Sequence, residues 1–246
     1  MKKISTRNKF RIIWFTIVFA FMCFQWSSYQ SKGFNHNLLN TTSEVSVEED
    51  HTKISFIAKE QKKLEILFFP GGLVDPKSYI PLGRSIVELG YNFHIIKMPW
   101  RMSTKGYNNI KNLFDLNQNK DFILGGHSQG GKMAAQFVFE NPTLMSGLML
   151  LGTSHPRDID LSNIDIPTIK IYAELDGLAS VQEVLENQNK LPKRAELKLI
   201  QGGNHSQFGY FGRILFDKKA TISRKEQHLK TNLLLKEFIK KVEQNN

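Results

Sequence analysis

The sequence predicts an α/β fold, in which helices flank a mostly parallel sheet. Strand-like apolar runs alternate with helical patterns from Glu65 to Val242, as a parallel sheet with crossover helices requires. The chain has 246 residues, enough for one such domain with a sizeable core and a short appendage. The sequence has no repeat of solenoid period and no P-loop or dinucleotide-binding glycine pattern, which argues against repeat proteins and nucleotide-binding folds.

Eight segments are predicted as strands from their apolar or alternating patterns. Val45 and Val47 alternate with polar residues, which predicts an edge strand within residues 42–50. The segment Lys53–Ala58 is expected to pair in a hairpin with Leu64–Phe69. After the edge strand, the predicted strands are Lys53–Ala58, Leu64–Phe69, Tyr91–Met98, the run from Phe122, Leu148–Leu151, Thr168–Ala173 and Ala195–Ile200.

A G-x-S-x-G turn follows the strand from Phe122. Gly126 and Gly130 flank Ser128 where a Cβ atom would clash in a sharp turn. Apolar residues then recur at helical spacing, so the turn joins a strand to a helix. This context is typical of a serine held up as a nucleophile, and it makes Ser128 the candidate catalytic residue.

A nucleophilic serine needs a base, and the base needs a carboxylate that orients it. Asp176 follows the predicted strand that ends at Ala173, and His205 follows the strand that ends at Ile200. Because carboxyl ends of parallel strands share one edge of the sheet, both side chains are expected near Ser128. Asp176, rather than Glu174, is predicted as the acid because it lies in the turn beyond the strand.

The loop after Leu64–Phe69 is expected to supply part of an oxyanion hole, since its paired glycines let the backbone approach a ligand closely. One donor is assigned to the amide of Leu73, with Gly72 as the near alternative, and the other to the amide of Gln129. His127 and Gly72 are predicted to contact substrate. His155, just past another strand end, is a weaker candidate for substrate contact.

Four segments together resemble the α/β-hydrolase superfamily, and specifically its family 5 subgroup. The similarity runs from about Val45 to the C-terminus, and the matching segments are Phe69–Pro76, Gly125–Gly131, Ala173–Leu178 and Gly202–Gly209. The resemblance implies an eight-stranded α/β-hydrolase sheet and a serine hydrolase triad of Ser128, Asp176 and His205. It does not identify a substrate, because this fold hosts many chemistries.

The N-terminus has the pattern of a membrane segment. Five lysines and arginines precede an uncharged apolar run over Ile12–Phe24, and Trp26 and Tyr29 could anchor its far end at the interface. A small-residue cleavage site is not obvious, which favours an uncleaved signal anchor over residues 1–31. The basic flank predicts a cytoplasmic N-terminus, a single pass and an extracytoplasmic catalytic domain.

Two further boundaries follow from composition. Residues 32–41 are predicted as a flexible tether, and residues 42–246 as the catalytic domain. The formal charge of +10 does not indicate a nucleic-acid partner: subtracting the six lysines and arginines of residues 1–32, which contain no acid, leaves +4 scattered over the rest. Cys23 is the single cysteine, so no disulfide forms within the chain.

The expected function is hydrolysis of a small carboxylic ester through an acyl-enzyme intermediate, with no cofactor and no metal. The connection between Leu151 and Thr168 is too short for a large cap domain, so an open cleft is expected. Two alternatives remain at this stage. One is an envelope acyltransferase that uses the same triad, and the other is a non-catalytic, membrane-tethered binding protein.

Overall fold

The computed structural model describes residues 5–116 and 121–245. Its eight strands form one sheet in the order β1-β2-β4-β3-β5-β6-β7-β8. The strands are β1 (Val45–Glu49), β2 (Lys53–Ala58), β3 (Leu64–Phe69), β4 (Phe93–Ile96), β5 (Asp121–His127), β6 (Gly147–Leu151), β7 (Thr168–Ala173) and β8 (Ala195–Ile200). The pairs β1–β2 and β2–β4 are antiparallel, and the other five pairs are parallel. The predicted fold class and strand positions are therefore confirmed.

The predicted hairpin between β2 and β3 is wrong. β2 pairs with β1 on one side and with β4 on the other, where Ile54 lies opposite Ile95. β3 instead lies between β4 and β5, and all six of its residues are buried. Apart from Glu65, which is buried against Asn92 and His94, this strand is apolar. Such a strand is stable in the covered centre of a parallel sheet, and this preference overrides the short connection from β2.

The described α-helices cover both faces of the sheet. They are α1 (Thr6–Tyr29), α2 (Ile80–Val87), α3 (Ile110–Leu113), α4 (Gln129–Glu140), α5 (Val181–Glu186) and α6 (Arg224–Asn245). Leu82 of α2 and Phe238 of α6 pack in the core on one face, and Phe137 of α4 packs on the other. A capping box at Ser180 opens α5, with both of its reciprocal hydrogen bonds present.

The N-terminal helix α1 is long and apolar enough to cross a membrane, and its large apolar side chains are exposed. Its end is attached to the domain: the amide of Asp75 donates to the carbonyl of Tyr29 at 2.9 Å, and the amide of Gly212 donates to Ser28 at 2.8 Å. Phe34, Leu38 and Leu39 in the following segment pack against the core. The stretch predicted as a flexible tether is thus held against the domain by apolar contacts that its polar composition obscured.

No helix interrupts the connection between β6 and β7, which spans residues 152–167, all of them described. This arrangement agrees with the prediction that a large cap domain is absent.

Candidate active site

Ser128 lies at the tip of the turn between β5 and α4. Its backbone has φ 54° and ψ −119°, a conformation that costs energy for any residue other than glycine. The flanking glycines make the turn possible. A Cβ on Gly126 would lie 2.3 Å from the carbonyl carbon of Gly130, and one on Gly130 would lie 2.1 Å from the oxygen of Phe69. The strained turn therefore depends on both glycines of the motif.

Asp176 and His205 meet beyond the ends of β7 and β8. The Nδ1 atom of His205 lies 2.9 Å from Oδ2 of Asp176, and the carboxylate is 1% exposed. Its other oxygen accepts the amides of Leu178 at 2.8 Å and Ala179 at 2.7 Å, which fixes the carboxylate plane. Glu174 points elsewhere and accepts the amide of Gly202 at 2.8 Å. Asp176, and not Glu174, is therefore the carboxylate that reaches the histidine.

A second buried carboxylate supports both loops of this pair. One oxygen of Asp217 accepts the amides of Gly177 at 3.2 Å and His205 at 3.3 Å. The other accepts the amide of Ser206 at 2.8 Å and its hydroxyl at 2.6 Å. Asp217 thus connects the turn that carries Asp176 to the loop that carries His205. Sequence reasoning missed this residue, because no motif marks a carboxylate whose partners lie in distant loops.

Ser128 and His205 line the same surface cleft, whose volume is about 270 Å³. The opposite wall comes from the loop after β6, which includes Ser154 and His155. With Nδ1 of His205 engaged by Asp176, its Nε2 atom is the nitrogen left for chemistry in the cleft. Acyl transfer requires a serine, an imidazole and a carboxylate, and this site contains all three.

The structure does not support Leu73 as the loop donor of an oxyanion hole. Its amide donates to the carbonyl of Arg101 at 2.7 Å, so the donor is already engaged. Leu73 also adopts a left-handed φ of 62°. The predicted alternative, Gly72, lies against the side chain of Gln129, where an added Cβ would approach Cδ to 3.1 Å.

Gln129 has a structural contact that the sequence did not indicate. Its side-chain oxygen accepts the amide of Ser103 at 3.0 Å, which joins the start of α4 to the loop after β4. The backbone of Gln129 forms the first residue of α4, directly after Ser128. Helix N-termini carry unsatisfied amides and a positive dipole end, as an oxyanion site requires.

His127 does not line the cleft, contrary to its predicted contact with substrate. The side chain is fully buried, and its Nδ1 atom lies 2.8 Å from the hydroxyl of Tyr79. That hydroxyl accepts the amide of Gly71 at 3.0 Å, so it is the natural donor to Nδ1. Burial, and then the neighbouring His205, hold the pKa of His127 well below its ordinary value. A neutral His127 therefore packs beneath His205, with ring centroids 4.6 Å apart.

No cluster of three or more metal-ligating side chains occurs among residues 5–116 and 121–245. Of the titratable groups in the site, His205 and Asp176 are paired with each other.

Comparison with known proteins identifies the family of the chain. Residues 65–229, which include Ser128, Asp176 and His205, match the family model described as the alpha/beta hydrolase family. Comparison with curated proteins gives no match.

Solved structures share this fold. An alpha/beta hydrolase enzyme from the metagenome of lagoon sediments at Mar Chica, Morocco, is 18% identical, with a TM-score of 0.59, and the match covers 79% of this chain and 98% of that one. Est1E from Butyrivibrio proteoclasticus is 14% identical, with a TM-score of 0.57 and coverage of 80% and 99%. At these identities the likeness concerns the fold.

Proposed function

Because the chain belongs to the alpha/beta hydrolase family, we propose that it is a serine hydrolase that cleaves carboxylic esters. The observation that carries the proposal is the 2.9 Å contact between His205 and the buried Asp176 at the cleft that Ser128 also lines. A serine hydrolase needs a nucleophile, a base and an orienting carboxylate, and we assign these roles to Ser128, His205 and Asp176.

In the proposed mechanism, Ser128 Oγ attacks the acyl carbonyl while Nε2 of His205 takes the hydroxyl proton. Asp176 holds the imidazole through Nδ1–H and stabilises the imidazolium that forms. His205 then returns the proton to the leaving alcohol, and the acyl group remains on Ser128. Water, deprotonated by His205, attacks the acyl carbon, and His205 returns that proton to Ser128 Oγ as the acid leaves.

The negative charge on the carbonyl oxygen needs amide donors during both steps. We assign this role to the backbone N–H groups of Gln129 and Gly72. Gln129 follows the nucleophile at the start of α4, and Gly72 lies next to its side chain. Leu73 is set aside because Arg101 already accepts its amide. Loss of one oxyanion donor typically lowers turnover by about 10²–10³-fold.

The open cleft favours esters with short acyl chains. With a volume of about 270 Å³ and no helix in the adjoining residues 152–167, it buries little of a long chain. Each further methylene could contribute about 0.8 kcal/mol only if a groove received it. Activity on p-nitrophenyl esters should therefore fall beyond short chains and show no increase at a lipid interface. A strong preference for long chains would contradict this expectation.

A fluorophosphonate probe tests the proposed nucleophile directly. The purified protein should acquire one adduct, at Ser128, when examined by intact mass and peptide mapping. Ser154 lines the same cleft and provides a matched control, so Ser154→Ala should still be labelled and Ser128→Ala should not. The absence of an adduct on folded protein, or an adduct that persists in Ser128→Ala, would support a binding protein instead.

We further propose that α1 anchors the protein in the cell membrane as a single pass, with the catalytic domain outside the cytoplasm. The support is an apolar helix of 24 residues with basic residues near its start. Protease treatment of intact cells should degrade the domain. Protection would reverse the orientation, and soluble protein that begins near residues 27–32 would indicate a cleaved signal.

A further inference from the structure

One wall of the candidate cleft carries two cationic side chains. Lys132 and Arg157 line it together with Ser128 and His205, and no aspartate or glutamate is among the described residues that do so. Lys132 lies one helical turn beyond the nucleophile, since its amide donates to the carbonyl of Ser128 at 3.0 Å. Arg157 approaches from the loop after β6 on the other side.

Both cations have carboxylate partners that lie outside the cleft lining. Lys132 pairs with Asp158, and Arg157 with Glu183, each at 3.3 Å. The partner side chains are 73% and 37% exposed, respectively. Ion pairs this exposed contribute little free energy, about 0–1 kcal/mol, so a ligand can replace either partner at small cost.

His155 lies close to both cations, whose charges affect its pKa. Burial, followed by the charges of Lys132 and Arg157, lowers its pKa to about 4, so it is neutral in the ordinary pH range and adds no charge of its own. Its Nε2 atom lies 3.5 Å from the guanidinium of Arg157. Behind it, the fully buried Lys170 donates to the carbonyl of His155 at 2.6 Å. Lys132, Arg157 and Lys170 thus all lie near His155, together with the exposed Asp158.

We propose that this wall binds an anionic group of the substrate, so that the preferred ester carries a carboxylate or phosphate close to its scissile bond. Lys132 and Arg157 supply the charge, and the neutral imidazole of His155 supplies a hydrogen bond. The inference rests on the proposed ester hydrolysis and names the substrate class for that same site.

Two p-nitrophenyl esters of equal chain length test the proposal. The glutarate half-ester carries a free carboxylate, and its methyl ester is neutral. The quantity of interest is the ratio of kcat/KM for the charged ester to kcat/KM for the neutral one. Arg157→Met and Lys132→Met should each lower this ratio by about fivefold, and the double variant by more than tenfold. Higher ionic strength should also lower it in the wild type.

The chain offers matched control cations elsewhere. Arg194 pairs with Asp165 at 3.6 Å and is as exposed as Arg157, and Lys230 pairs with Glu226 at 2.9 Å on α6. Arg194→Met and Lys230→Met should keep the wild-type ratio within about twofold. Equal ratios in all variants, or equal losses in the controls, would overturn the proposed anion-binding wall while ester hydrolysis stands.

A binding measurement separates this inference from the proposed function. Monomethyl glutarate and dimethyl glutarate are compared as ligands of Ser128→Ala by saturation-transfer NMR, which requires no turnover. The monoanion should compete with the half-ester and lose affinity in the Arg157→Met background. If neither p-nitrophenyl ester is hydrolysed, the hydrolase proposal fails. The binding result alone then decides whether the wall binds an anion. Equal binding of the two glutarates would refute it.

Discussion

Asp217 provides the sharpest test of how the candidate site is held together. The residue is 2% exposed and does not line the cleft. Its two oxygens accept four donors, from Gly177, His205 and Ser206. In Asp217→Asn one oxygen remains, and an NH₂ group faces the two donors of the other. The substitution therefore changes hydrogen bonding with almost no change in volume.

The expected loss follows from those bonds. Two charge-assisted hydrogen bonds are replaced by donor–donor contacts, and the remaining two lose the carboxylate charge. At about 1.5–3 kcal/mol for each bond to a charged group, the free energy of unfolding should fall by about 3 kcal/mol. For a domain of this size, that corresponds to a decrease in Tm of roughly 6–12 °C. Because Gly177 and His205 are released together, kcat should fall by about 10²-fold.

The assay is a thermal melt of the full chain in detergent, combined with turnover of a neutral p-nitrophenyl ester. Asp165→Asn is the matched control, since that side chain is 82% exposed and pairs only with Arg194 among the described contacts. The control should stay within about 0.5 kcal/mol of wild type. If Asp217→Asn melts within 2 °C of wild type, as roughly 0.5 kcal/mol would allow, and keeps its turnover, the assigned role is refuted.

Three further predictions concern the acid, a buried amine and the N-terminal boundary. Asp176→Asn should lower turnover by about 10⁴-fold, whereas Glu174→Gln should keep near-normal turnover. The reverse result would make Glu174 the orienting acid. Burial lowers the pKa of Lys170 to about 7, against roughly 10.4 when unfolded, so the unfolded chain binds more protons between these values. Wild-type stability should therefore rise relative to Lys170→Met from pH 7 to 10 in paired denaturation curves, and parallel curves would contradict it. Deletion of residues 1–26 should leave Tm nearly unchanged, whereas deletion of residues 1–41 should lower it, because only the second removes the packed segment after α1. Equal Tm values for the two deletions would show that this segment is a flexible tether.

Some structural expectations rested on patterns that are local in the chain. The boundaries predicted for β3, β7 and β8 match the observed strands, because apolar runs between turn residues encode strands over a few positions. The sharp turn at Ser128 was predictable for the same reason. Its two glycines stand beside it in sequence, and the clash that a Cβ would cause involves neighbouring backbone.

Other expectations depended on partners that are distant in sequence, and the structure changed several of them. The amide of Leu73 is already hydrogen-bonded because the carbonyl of Arg101, 28 residues later, accepts it. His127 is buried because Tyr79 and the loop after β8 close over it.

The sequence by itself determined the fold class, the strands, the sharp turn at Ser128 and the order of the three candidate catalytic residues. Each of these depends on spacing within a short segment or on the sequence of segments along the chain. Only the tertiary structure decided the position of β3 between β4 and β5, the part played by Asp217 and the cationic wall of the cleft. Those features arise where loops separated by tens of residues meet, and the free energy that selects them comes from burial and pairing across that distance.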